Sequence, residues 1–282
     1  MSPRYIARIV LTAMSFYVAV WLAAVVVLWA SESMLVYETA QSRQFTAPLD
    51  RRLFQAVALH SPDGLTLEAV ALPHADAAGS YWVLFCPAAG TSLHGERVQQ
   101  QLHDLWDLGY SVLAFDYRGF GENRGSPTEE GIYADAATAY EYLTRQRGVP
   151  TARVILAGRS LGSAVAVELA THVNAAGVLM FSAIDSVPRT AERLFPYAPA
   201  SFLAHSRFDS RTKVPTLHIP IVMIHAVHDE LVPVSVARAM FQEIHAPKKL
   251  VETDGWHDDA GFTTATNLGA ALAEFWPVTA RP

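Results

Sequence analysis

The sequence predicts an α/β fold: a mostly parallel central sheet flanked by helices and preceded by one N-terminal transmembrane helix. Three observations predict it. From residue 53 onward, short apolar runs rich in β-branched residues alternate with segments of helical periodicity. The spacing of that alternation matches right-handed strand–helix–strand crossovers. Ahead of it, Ile9 to Ala30 carries no charge, glycine or proline. The domain organisation read from this is an anchor at 1–30, a polar connector at 31–50 and one catalytic domain at 51–282.

The elements follow in order. The run 9–30 gives roughly 33 Å of helix, enough to cross a hydrocarbon core. Residues 53–60 and 65–72 read as strands around Ser61-Pro62-Asp63-Gly64, a turn signal that makes them a hairpin. Residues 81–86 (YWVLFC) read as a buried strand. Residues 95–109 place Val98, Leu102, Leu105 and Leu108 on one helical face and stop at Gly109. Strands at 110–116, 153–158, 176–182, 219–226 and 248–253 alternate with helices at 129–146, 161–173, 233–245 and 259–276. The stretch 183–218 breaks the rhythm. Its Phe195, Pro196, Tyr197, Pro199, Phe202 and Phe208 fit either a small cap lining a site or ordinary core packing.

Charge and composition narrow the function. The net charge of −6 lacks the basic excess of a nucleic-acid binder. The 51% hydrophobic content exceeds the usual range of a soluble domain, and much of the excess lies at the N-terminus. Arg4 and Arg8 precede the apolar run, and Glu32 and Glu38 follow it. The positive-inside tendency then puts the N-terminus in the cytoplasm and the domain on the extracytoplasmic side. The rival reading is a cleaved signal peptide, against which stand the length of the run and the poor cleavage sequence Leu28-Trp29-Ala30. The single cysteine, Cys86, cannot form an internal disulfide.

The most informative stretch is RVILAGRSLGSAVAVELA, where a strand runs into Gly158-Arg159-Ser160-Leu161-Gly162 and a helix starts at once. A turn this tight strains the serine backbone and thrusts its side chain into the open, while the helix N-terminus supplies free N–H groups. A serine hydroxyl needs a base. Asp229 and His257 follow in the chain order such turns use, each in a loop after a strand. Histidine would take the serine proton, and aspartate would fix the histidine tautomer. Asp185, after the strand at 176–182, is the alternative acid. Asp258 and Asp259 read as caps of the closing helix. His225 and His228 beside Asp229 resemble a metal cluster on paper, but their spacing straddles a strand end, and the reading is structural. No metal or cofactor is expected.

Four stretches together resemble membrane-anchored serine hydrolases of the α/β-hydrolase fold, close to the serine-aminopeptidase-like and prolyl-oligopeptidase-related domains. They are 111–143, with its Asp116-Tyr117-Arg118-Gly119 turn, the serine turn at 155–170, IHAVHDELVP (224–233) and DGWHDD (254–259). The resemblance implies the fold and the triad Ser160, Asp229 and His257. It also implies an oxyanion hole from the backbone N–H groups of Leu161 and Ala88. An Asp116–Arg118 pair is expected to brace its loop. The chain departs from the family pattern at Cys86-Pro87-Ala88-Ala89-Gly90, where the family usually has histidine-glycine-asparagine-alanine-glycine. Pro87 lacks an N–H but leaves that of Ala88 in place. Cys86, without an activating histidine, reads as a packing residue.

The expected activity is hydrolysis of an acyl ester, thioester or amide on a small-molecule or lipid substrate through an acyl-enzyme. Esterase or lipase-like work ranks first and a serine peptidase second. The alternative from another class is a membrane-anchored binding or scaffold protein with lost chemistry, an idea motivated by Cys86-Pro87.

Overall fold

The computed structural model describes residues 2–74, 80–258 and 268–278. Eight strands form one sheet in the order β1-β2-β4-β3-β5-β6-β7-β8. They are β1 (Gln55–His60), β2 (Thr66–Leu72), β3 (Trp82–Cys86), β4 (Ser111–Phe115), β5 (Val154–Arg159), β6 (Gly177–Phe181), β7 (Ile221–Ala226) and β8 (Lys248–Thr253). Each lies within two residues of its expected run. β1 and β2 form the antiparallel hairpin, closed by a turn in which Gly64 takes φ 88°. β2 pairs antiparallel with β4, and every pairing from β4 to β8 is parallel. The buried central strands read as continuous apolar runs because helices cover both faces.

Strand alternation sorts the core into two layers. Leu84, Leu156 and Met180 pack with α5 (Glu129–Glu141), α6 (Leu161–Ala170) and α9 (Val234–Glu243). Val83, Phe85, Ile155 and Leu179 pack with α4 (Glu96–Asp107) and α10 (Leu268–Ala273). Of the closing helix expected at 259–276, residues 259–267 lie outside the described residues, so Asp259 is not placed. The helix expected at 129–146 is α-helical only to Glu141 and continues as a wider π turn at Tyr142–Gln146.

The N-terminal helix α1 (Pro3–Ala30) has a window of mean hydropathy 2.3 of which 6% is buried, so its apolar surface is almost wholly unclaimed by the domain. The connector does not run free. It folds into α2 (Glu32–Tyr37) and α3 (Thr39–Ser42), with Tyr37 and Ser42 buried. The Tyr37 hydroxyl pairs with Ser206 Oγ at 2.9 Å, and Ser42 Oγ accepts from the Gly121 N–H at 3.2 Å. The stretch 183–218 holds α7 (Val187–Leu194), α8 (Ala200–Leu203) and a 3-10 turn at Val214–Thr216. Its aromatics divide: Phe208 is fully buried, whereas Tyr197 and Phe202 are exposed.

Candidate functional site

β5 delivers Ser160 directly onto the N-terminus of α6. The residue takes φ 50° and ψ −117°, a conformation that costs a non-glycine residue on the order of 1–3 kcal/mol and persists only where surroundings enforce it. Those surroundings are backbone. A Cβ on Gly158 would sit 1.9 Å from the Gly162 carbonyl oxygen, and one on Gly162 would sit 2.0 Å from that of Cys86. The two glycines of the turn are therefore required by close approach. The Ser160 N–H donates to the Phe181 carbonyl at 2.9 Å, and Ser163 Oγ donates to the Ser160 carbonyl at 2.6 Å.

Three side chains expected to act together meet here. Ser160 Oγ lies 3.1 Å from His257 Nε2, and His257 Nδ1 lies 2.7 Å from Asp229 Oδ2. The carboxylate beside Nδ1 places the ring proton there and leaves Nε2 as the acceptor of the serine hydrogen. The other oxygen of Asp229 accepts from the Leu231 and Val232 N–H groups at 3.0 and 2.7 Å. All three residues are buried. Asp185, the alternative acid, is instead engaged by Arg193 at 2.8 Å and by the Ser186 N–H.

The histidine loop is held by groups the sequence reading did not single out. Arg159 Nη2 donates to the His257 carbonyl at 2.6 Å, and Glu230 accepts from the His257 N–H at 3.2 Å. Asp258 caps no described helix. It pairs with Arg97 at 2.9 Å and stands 3.6 Å from Arg159. His225 is buried and donates from Nε2 to the Val232 carbonyl at 2.8 Å, and burial pushes its pKa down, which keeps it neutral. His228 faces Asp254 at 3.2 Å and stacks near Trp256. Among the described residues no group of three or more His, Cys, Asp or Glu side chains is arranged to hold a metal.

The loop after β3 is braced from several sides. The Tyr117 hydroxyl donates to the Pro87 carbonyl at 3.1 Å, Thr91 Oγ1 to the Ala88 carbonyl at 2.7 Å, and the Gly90 N–H to the Tyr37 carbonyl at 3.1 Å. Asp116 and Arg118 are not partners of each other. Asp116, fully buried, accepts from Ser92 Oγ and the Leu93 N–H, and burial pushes its carboxyl up to about 7. Arg118 instead joins Asp135 on α5 to Asp63 in the β1–β2 turn. Each residue of the expected pair thus takes partners from another segment, Asp116 from the loop after β3 and Arg118 from α5 and the β1–β2 turn. Cys86 is fully buried, and burial pushes its thiol up to about 12, which suits packing and not nucleophilic work.

Ser160, Leu161, Ala88 and His257 open into a cavity of about 1390 Å³. Glu38 of the connector also lines it, held in the left-handed region at φ 51°. Burial is the chief cause of its raised carboxyl pKa, Asp258 acting the same way and His257 opposing. A polar connector gives no sequence signal for this placement, which depends on α2 and α3 folding back over the loop after β3.

The chain is similar in sequence and in fold to known proteins. The profile of the Alpha/beta hydrolase family matches residues 83–274. An uncharacterized protein of Mycobacterium tuberculosis strain H37Rv is 30% identical over 255 residues, covering 90% of each chain. The human Alpha/beta hydrolase domain-containing protein 17B is 29% identical over 150 residues, 53% of this chain and 51% of that one. Among solved structures, the Pyrococcus furiosus esterase Pf2001 superposes with a TM-score of 0.67 at 19% identity, covering 82% of this chain and 97% of that one. An alpha-beta hydrolase from Vibrio vulnificus gives 0.71 at 18%, covering 86% and 91%. Strand order, the strained strand-to-helix turn and the family match over most of the domain lead to one assignment: this chain belongs to the alpha/beta hydrolase family.

Proposed function

We propose that this hydrolase is a serine hydrolase of acyl esters, thioesters or amides, esterase or lipase-like, held at a membrane by Pro3–Ala30. The observation that carries the proposal is the continuous path Ser160 Oγ–His257 Nε2, His257 Nδ1–Asp229, with hydrogen-bond distances of 3.1 and 2.7 Å. In this reading His257 Nε2 takes the Ser160 proton as Oγ attacks the acyl carbon. The negative charge that develops on the carbonyl oxygen is met by the N–H of Leu161, at the start of α6, and the N–H of Ala88. Leu161 stands among the first residues of the helix, whose N–H groups have no intrahelical partner. The protonated His257 then gives its proton to the leaving group. Water, deprotonated by the same nitrogen, releases the acyl group from Ser160. Asp229 stays ionised throughout and stabilises the imidazolium.

The short Ser160–His257 distance favours this reading over an inactive binding protein, which would have no need to keep the hydroxyl within reach of a base. The topology fits a cytoplasmic N-terminus behind Arg4 and Arg8, with the domain on the other side. A fluorophosphonate probe should label the full-length protein, and Ser160→Ala should abolish both labelling and ester hydrolysis. Labelling that survives the substitution would remove Ser160 from the nucleophile role.

A further inference from the structure

The cavity above Ser160 is larger than the roughly 300–1,000 Å³ typical of small-molecule sites. Its lining is of two kinds: Ser160, His257, Ala88 and Glu38, and an apolar set of Val25, Leu28 and Trp29 of α1, Leu35 of α2, and Leu194 and Leu203 of the cap. The last turns of the apolar N-terminal helix thus form part of the wall of the same cavity that contains the serine.

The cap is fastened to that helix. Trp21 Nε1 donates to the Tyr197 carbonyl at 2.8 Å, and Trp29 lies 5.4 Å from the His205 ring. On α2, the Glu32 carboxylate accepts from the N–H groups of His205 and Ser206 at 2.9 and 2.7 Å. With α1 read as a membrane span, these contacts imply a depth. Trp21 precedes the end of α1 by nine residues, about 13 Å of helix axis. A span of about 20 residues counted from Ile9 ends near Leu28, so the level of Trp21 lies inside the apolar layer by roughly 10 Å. That is the depth to which interfacial elements sink, about 5–10 Å. Tyr197, whose carbonyl meets Trp21, is exposed, as are Leu194 and Phe202 of the same cap, the last 91% exposed. Three large apolar side chains beside a membrane span are stabilised by lipid, whereas water would leave them unburied.

We propose that the mouth of the cavity opens within the membrane surface and that the substrate is a long-chain acyl ester resident in the bilayer, its chain entering between α1 and the cap. The idea rests on the reading of Ser160 as nucleophile and of α1 as a retained span. The acyl chain leaves lipid for the apolar lining of the cavity, and the ester carbonyl reaches Ser160 without crossing water.

The test uses the full-length protein in phosphatidylcholine vesicles with two fluorogenic esters of one alcohol, acetyl and palmitoyl. The palmitoyl ester should be cleaved faster. Phe202→Glu should lower the palmitoyl-to-acetyl rate ratio about tenfold, the scale of one lost aromatic burial. An acetyl preference, or a ratio that Phe202→Glu does not move, overturns the proposal. Loss of both rates only with Ser160→Ala supports the nucleophile separately, and hydrolysis surviving in that variant counts against the nucleophile alone. A second measurement needs no turnover. Cys86 is buried, so a fluorophore on Phe202→Cys reports one site. Quenching by nitroxide-labelled lipid is expected. Quenching only by aqueous iodide places the cap outside the bilayer and overturns the proposal.

Discussion

At the scale of single residues, the candidate site is held by paired hydrogen bonds, and the proposed function draws distinct predictions from them. Asp229 offers one oxygen to His257 and the other to two backbone N–H groups, so its orientation is held independently of the histidine. Asp229→Asn should keep the fold and lower kcat by about 10⁴, because an amide N–H facing Nδ1 favours the wrong tautomer. Steady-state kinetics beside a melting curve would separate this from misfolding. Asp116 predicts a stability profile. Its folded pKa, pushed up to about 7, lies above the ordinary 3.8, so the folded protein holds a proton that the unfolded chain releases. That contribution is fully present at low pH and is lost as pH rises through the window. The stability of the wild type relative to Asp116→Asn should therefore fall between pH 3.8 and about 7 and level off above it. Denaturant titrations of both proteins across that range would check it, and a flat difference would count against a neutral buried carboxyl.

Elements decide how those residues meet. The turn between β5 and α6 and the loop after β3 touch through bare backbone at Gly162, where an added Cβ would stand 2.0 Å from one carbonyl oxygen and 2.4 Å from the next. Gly162→Ala must push the serine turn away from the loop that carries Ala88. Displacement of about 1 Å at a reacting centre costs on the order of 10²-fold in rate, so ester hydrolysis should fall at least that far. A fall in melting temperature should accompany it. Full activity would mean that this contact does not set the site. Pro87 is explained at the same scale. Its carbonyl is bound by the Tyr117 hydroxyl and its neighbour's carbonyl by Thr91, so the proline lies in a braced loop.

For the molecule as a whole, the C-terminal segment closes the second core layer. Trp276 is fully buried against Gly177, with its indole N–H on the Ala176 carbonyl at 3.1 Å and its own carbonyl accepting from the Tyr110 hydroxyl at 2.8 Å. Trp276→Ala should cost about 3–5 kcal/mol by denaturant unfolding, because it empties a large site that rigid strands cannot refill. At the other end, α1, α2 and the cap form one joined unit that lines the cavity, so the N-terminal segment helps to shape the site.

Much was legible in the sequence because it depends on local rules. Eight strands follow from apolar runs ended by turn residues, and the long apolar helix α1 follows from an uncharged run. Ser160, Asp229 and His257 could be picked out because each sits in a loop after a strand, and a parallel sheet gathers such loops at one edge. What the sequence missed depends on partners far away in the chain. Arg118 lies two residues from Asp116 yet reaches Asp135 and Asp63. Arg159 holds the carbonyl of His257, 98 positions onward. Glu38 enters the cavity because α2 and α3 fold back over the loop after β3, although their composition reads as a plain connector. Periodicity and motif spacing report what a residue does to its neighbours along the chain. Which polar groups meet across the sheet edge is decided by packing, and only the tertiary structure determined it.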